Sequence, residues 1–291
     1  MKENDIITID TLNKKNDCFV RYLFSNLGNE NIVLNFINSA MNNLNFSTFV
    51  KVEILNPFNL QKYLNSKESI VDIKCETDTG EIVMIEIQLQ GNESFANRVL
   101  FYWASGYSLT LNKGEDYKKL CPVISINILN FILSYDIEDC HTCYVIKELK
   151  HNKILTDHCQ LHFLELPKFN NNNSLKTDLN SWFKFFNGGE SMENLIKENT
   201  IFNEVERRCK SFISDNPLLD AYRKKEIDEY FYKDTMERER EKGFNEGIEK
   251  GMEKGKFEQK KIIAKSLKIS GMDIEFISRN TGLSIEEIEK L

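Results

Sequence analysis

The chain lacks any apolar run long enough to cross a membrane, and its first residues lack the charged-then-apolar pattern of a signal peptide. The expected location is therefore the cytoplasm, with no membrane role. A basic excess is also missing. Lys and Arg number 38 against 45 Asp and Glu, a net charge of −7, which argues against a surface that is basic throughout and built to hold nucleic acid. Clusters at Arg207–Lys210, Arg223–Lys225 and Lys260–Lys261 offset this only locally, because such clusters are more often solvated helix faces. Nor do the cysteines suggest a disulfide framework: seven is odd, and they are scattered, as expected of reduced thiols. One spacing, Cys140-X2-Cys143-X14-His158-X3-His162, falls within the range for a zinc site. Its histidines, however, lie in D157-H-C-Q-L-H-F-L-E-L, which alternates like a strand and spreads four residues over about 13 Å. Zinc needs each ligand about 2 Å from one ion, so no shared zinc is expected.

What the chain does have is a globular composition, 41% hydrophobic and 29% charged over 291 residues, enough for a main domain with appendages. Residues 16–43 read as two helices broken at Gly28-Asn29, and residues 49–56 as a strand stopped by Pro57. A strand pair over 69–90 turns at Asp78-Thr79-Gly80, and residues 93–112 carry helical periodicity. The run from Cys121 to Leu133 suits a strand buried on both faces, and residues 141–149 and 158–166 a further hairpin. An Asn-rich stretch follows Phe169, and from about residue 175 the text reads almost wholly helical.

Two carboxylates fourteen positions apart, Asp72 and Glu86, stand inside the strand pair. Alternation sends Val71, Ile73 and Cys75 one way and Asp72, Lys74 and Glu76 the other; it likewise separates Val83, Ile85 and Ile87 from Met84, Glu86 and Gln88. Pairing the runs as a hairpin brings Asp72, Glu86 and Gln88 to one surface. Two hard oxygen ligands on a rigid sheet suit Mg²⁺, which activates water against a phosphodiester. A half-solvated hairpin whose polar face merely meets water gives the same alternation, so the residues alone leave both readings open.

The pattern Asp72-X13-Glu86-X-Gln88 resembles the PD-(D/E)XK nuclease core, with Gln where the usual pattern has Lys. The blocks N16-D-C-F-V-R-Y-L-F, V52-E-I-L-N-P-F-N, I85-E-I-Q-L-Q, F95-A-N-R-V-L-F-Y-W-A, G114-E-D-Y-K-K-L-C-P-V-I-S-I-N-I-L and E165-L-P-K narrow the likeness to the Rpn family of recombination-promoting nucleases. The resemblance implies an α/β fold with a restriction-endonuclease-like core, a mixed sheet flanked by helices, and a helical C-terminal extension. It implies a metal-dependent endonuclease acting on double-stranded DNA in recombination, mobile elements or phage defence. Asp72 and Glu86 would hold Mg²⁺ or another divalent cation, with the Ile87 carbonyl as a further ligand. Gln88 would orient water through its amide but brings no charge. Lys74, Asp17, Arg98 and Tyr102 are auxiliary candidates; Asp17 equally suits a helix N-cap, and Arg98 with Tyr102 could brace a helix instead of meeting a phosphate. The alternatives are a catalytically silent relative serving as a DNA-binding or protein-interaction module, and a self-assembling helical regulator.

The expected division is a nuclease-like domain over 1–170, a helical extension over 171–235, and a glycine-spaced charged helix with a small helical tail over 236–291. Glycines recur at 243, 247, 251 and 255, which fits either close backbone approach in a homo-oligomer or a flexible stalk. Residues 260–291 read as three short helices, with Asp273 and Ser284 as N-caps and Glu287 completing a capping box. The last is acidic where a DNA-reading helix would be basic, so a protein-contact role is expected for the tail.

Overall fold

A computed structural model describes residues 6–65, 73–170 and 175–291. Asp72, with the start of the expected hairpin, and most of the Asn-rich stretch lie outside the described residues.

The first helix, α1 (Asp17–Ser25), is capped by Asn16, whose side chain accepts hydrogen bonds from the Cys18 and Phe19 amides. Asp17 is thus the first helical residue and not the cap. Gly28, at φ +85°, turns the chain between α1 and α2 (Glu30–Asn43). There the Asn29 amide donates to the Tyr22 and Leu23 carbonyls at the end of α1. Strand β1 (Val52–Ile54) follows, then a short helix, α3 (Leu60–Asn65), which sequence periodicity did not signal because six residues give barely two turns of pattern.

Strands β2 (Ile73–Thr77) and β3 (Ile82–Gln88) form the expected antiparallel pair, with Ile73 opposite Ile85 and Lys74 opposite Met84. Helix α4 (Phe95–Ser108) then crosses to β4 (Val123–Leu129), which lies parallel to β3 with Glu86 beside Asn127. All seven residues of β4 are buried, as its sequence suggested. Strands β5 (His141–Tyr144) and β6 (Cys159–Glu165) pair antiparallel as a hairpin, and β6 docks parallel to β4. The six-stranded order is β1-β2-β3-β4-β6-β5, a mixed sheet with a parallel centre and antiparallel margins. Flanked by helices and followed by a helical C-terminal region, it is the α/β architecture of a PD-(D/E)XK core.

One face of the sheet, lined by Val83, Ile85, Ile87, Ile124, Ile126 and Ile128, packs against α1 and α2. Helices α5 (Thr177–Asn187), α6 (Met192–Glu198) and α7 (Phe202–Ser214) share that core. Its densest part is aromatic. Phe24 stacks on Phe36 at 4.9 Å between ring centres, and Trp182 lies 4.9 Å from Phe202. Truncating such a buried ring to Ala typically costs about 3–5 kcal/mol. The opposite face is covered by α4: Trp103 and Tyr107 sit over Ile82, Met84 and Val123, and Phe95 and Val99 over Leu129 and Phe163. Gly106 permits the close approach, since a Cβ there would stand 3.0 Å from the Met84 sulfur.

The chain forms two compact units, Met1–Glu226 and Ile227–Leu291, with helix α8 (Asn216–Ile269) running through the boundary. In the second unit, the end of α8 with α9 (Ile274–Thr281) and α10 (Ile285–Glu289) encloses Ala264, Ile277, Leu283 and Ile288. Asp273 caps α9, and Ser284 with Glu287 forms the expected capping box. The first of the three expected short helices is instead the last turns of α8, because nothing interrupts the helix before the left-handed Gly271. The four spaced glycines lie inside this continuous helix, and among the described residues no atom comes within 4 Å of an added Cβ at any of them. No helix among the described residues is long and apolar enough to cross a membrane.

Candidate active site

The end of β3 sets the site. Met84, Glu86 and Gln88 share the face covered by α4, while Ile85 and Ile87 point into the main core. Ile87 can therefore offer the site only its backbone carbonyl. Burial raises the Glu86 carboxyl above the usual carboxylate range, and the positive charges of Arg98 and Arg21 act against that rise. Glu86 is thus a half-buried carboxylate under the electrostatic influence of two guanidinium groups, one on α4 and one on α1.

Gln88 is held at both ends of its amide. Its Nε2 donates to the Gln90 carbonyl at 3.0 Å, and its Oε1 accepts from Arg98 Nη2 at 2.5 Å. The guanidinium of Arg98 also lies over the Phe95 ring, 5.2 Å from its centre. Among the described residues its buried Nε has no hydrogen-bond partner. Tyr102, one turn further along α4, is half-buried. Lys74 is half-buried on the site face, opposite Met84 and not opposite Glu86.

Asp17 belongs to a neighbouring polar cluster. Its carboxylate accepts from Arg21 Nε at 3.1 Å and from the Tyr63 hydroxyl at 3.0 Å, and Lys225 of α8 stands 4.0 Å away. Arg21 also acts electrostatically on Glu86, so it couples Asp17 to the carboxylate on β3. The Asn16-Asp17 pair divides its work: Asn16 caps α1 and donates to Glu226 at 2.7 Å, while Asp17 orients Arg21.

Sequence reasoning missed two contributors. In the sequence Arg21 is one residue of a helical block with no signal of its own. Asn127 stands in the sequence inside an apolar strand, yet β4 places it directly beside Glu86. Its Nδ2 donates to the His162 carbonyl at 3.0 Å and to Ser125 Oγ at 3.1 Å. A carbonyl only accepts, so this bond fixes the amide's orientation, and among the described residues Asn127 Oδ1 is left buried and unpartnered. The available signal was Ser125 and Asn127 at alternate positions, a polar pair on one face of a strand buried on both.

The Glu165-Leu-Pro-Lys block is structural. The buried Glu165 carboxylate accepts from the Leu133 amide at 2.6 Å and pairs with Lys168 at 2.9 Å, tying the chain after β4 to the end of β6. The zinc spacing is likewise not a site. His158 bonds the Tyr107 hydroxyl on the α4 side, whereas His162 is buried on β6 against His141, with ring nitrogens 3.1 Å apart, and against Cys143 at 3.5 Å. Burial pushes His141 down to about 4 and His162 to about 3, so both rings are neutral at pH 7.

Among the described residues no cluster of three or more His, Cys, Asp or Glu side chains could hold a metal ion. The donors around Glu86 are oxygens: its carboxylate, the orphaned Asn127 Oδ1 and the Ile87 carbonyl. That set fits a hard divalent cation and not a thiolate- or imidazole-bound one. Asp72, the other proposed carboxylate, is outside the described residues.

No curated protein and no solved structure matches the chain. The family model described as PD-(D/E)XK nuclease family transposase matches residues 14–238, a span that takes in every block described above, and the chain belongs to that family.

Proposed function

We propose that this protein is a metal-dependent endonuclease that hydrolyses phosphodiester bonds of double-stranded DNA, acting in recombination, mobile-element movement or phage defence. The observation that carries this reading is a half-buried carboxylate, Glu86, on the same sheet face as Gln88, which holds the Arg98 guanidinium whose charge acts on Glu86. Asp72 and Glu86 are the proposed ligands for Mg²⁺ or another divalent cation, with the Ile87 carbonyl as a third. When bound, the ion would supply positive charge and lower the pKa of a water molecule.

The chain's own residues do the rest. Arg98 and Arg21 favour the ionised form of Glu86, which burial alone would disfavour. Asn127 Oδ1 offers an acceptor that can orient a water proton beside Glu86. Trp103, Met84 and Val99 close the α4 side against bulk solvent. Seven free cysteines support the cytoplasm as the proposed location. The long helix α8 is the proposed homo-oligomer contact.

A second reading, a catalytically silent DNA-binding or protein-interaction module, draws on the net charge of −7. Cleavage of linear duplex DNA with Mg²⁺, with EDTA and by Asp72→Ala separates the two. The nuclease reading expects cutting only by wild type with metal. Retained DNA binding with no cutting under any divalent cation favours the silent module.

A further inference from the structure

We propose that Gln88 and Arg98 act as one unit, in which the strand residue aims the helix residue's cation at the phosphate under attack. This rests on the nuclease reading above and makes Arg98 a catalytic residue and Gln88 a positioning residue. In the wider superfamily pattern a Lys occupies the place of Gln88; here the charge has moved from the strand to the helix packed on it.

Three contacts set the guanidinium plane. The Gln90 carbonyl fixes the Gln88 amide, the Gln88 oxygen takes one Arg98 N–H, and the Phe95 ring supports the guanidinium. A guanidinium has five N–H donors, and among the described residues Arg98 spends one of them, on Gln88. Among the described residues its Nε is buried without a partner, a costly state for a side chain whose only task is to brace a helix. An Nε–H with an adjacent N–H forms the planar fork that matches two oxygens of a phosphate. Arg98 lies in the first turn of α4, so the positive end of the helix dipole adds to its charge. Lys74, a cation on the same face, stands opposite Met84 and not opposite Glu86.

The contact also predicts how a lysine at position 88 would behave. Lys would remove the acceptor for Arg98 and set an ammonium against the guanidinium. Only when Arg98 is also removed does a strand cation become useful.

The test uses the full chain carrying Arg98→Ala, Arg98→Lys, Gln88→Lys or the Gln88→Lys/Arg98→Ala pair, with melting curves as a check on folding. Plasmid cleavage in Mg²⁺ should fall by ~100-fold in Arg98→Ala, the loss typical of one transition-state charge contact. Arg98→Lys should recover part of that loss, and the double variant should exceed both of its single parents by ~10-fold. If Arg98→Ala unfolds, Arg98→Met, which keeps the stem over Phe95, takes its place. Cleavage by Arg98→Ala within about twofold of wild type, or a double variant no better than its parents, overturns the proposal. Duplex affinity in Ca²⁺ separates the two readings. If wild type cuts nothing with any divalent cation, the nuclease reading fails; weaker binding by Arg98→Ala that the double variant restores still supports the aimed cation, and unchanged binding overturns it.

Discussion

Glu86 carries opposing demands. Burial favours its neutral form, while a metal ligand must be ionised, and the charges of Arg98 and Arg21 offset the burial only in part. A carboxyl whose pKa is raised on folding makes the folded state less stable, relative to the unfolded chain, as pH rises past the unfolded value. Glu86→Gln should therefore melt no lower than wild type at pH 8, with differential scanning calorimetry as the check. Cleavage should be lost on acidification at a higher pH than an ordinary carboxylate would require, which a pH–rate profile reads directly. The His141–His162 pair gives a second, separable signal. Both rings stay neutral in the fold while unfolded histidines take up protons below about 6.5, so stability should drop as pH falls from about 6.5 toward about 4 for His141 and about 3 for His162. His141→Gln should flatten that drop in melts taken between pH 7 and 4.5.

At the scale of elements, the sequence made β2, β3, α4, β4 and the β5–β6 hairpin legible because each carries enough periodicity, and alternation alone put Glu86 and Gln88 on one face. Contacts between elements distant in the chain were not legible. That Arg98 meets Gln88, that Arg21 acts on Glu86, and that Asn127 stands beside it all depend on how α1, α4 and β4 pack around β3. The glycine-spaced helix was legible; its run without a break from Asn216 to Ile269 was not, because four glycines each lower helix stability by about 1 kcal/mol relative to Ala. With open space around each, Gly243, Gly247, Gly251 and Gly255 gain nothing inside one chain from being small. Alanine at all four should raise the melting temperature of α8 and, if backbones approach closely in the oligomer, shift sedimentation velocity toward monomer. An unchanged oligomer would remove the glycines from the interface.

Across the whole molecule, the site and its supporting core lie within Met1–Glu226, while Ile227–Leu291 carries its own small core. The two tasks should therefore come apart. Removing residues 236–291 should leave metal-dependent cleavage and abolish self-association, with DNA affinity falling by less than about tenfold, or 1.4 kcal/mol. Loss of cleavage with the core folded and the oligomer intact would make the second unit a substrate-delivery module. The central claim, that Glu86 serves phosphodiester cleavage, has a more direct test: supercoiled plasmid incubated with Mg²⁺ and either wild type or Glu86→Gln at equal, verified folding. The account predicts nicked and linear products from wild type and none above background from Glu86→Gln. Cutting by the folded variant at the wild-type rate would contradict it.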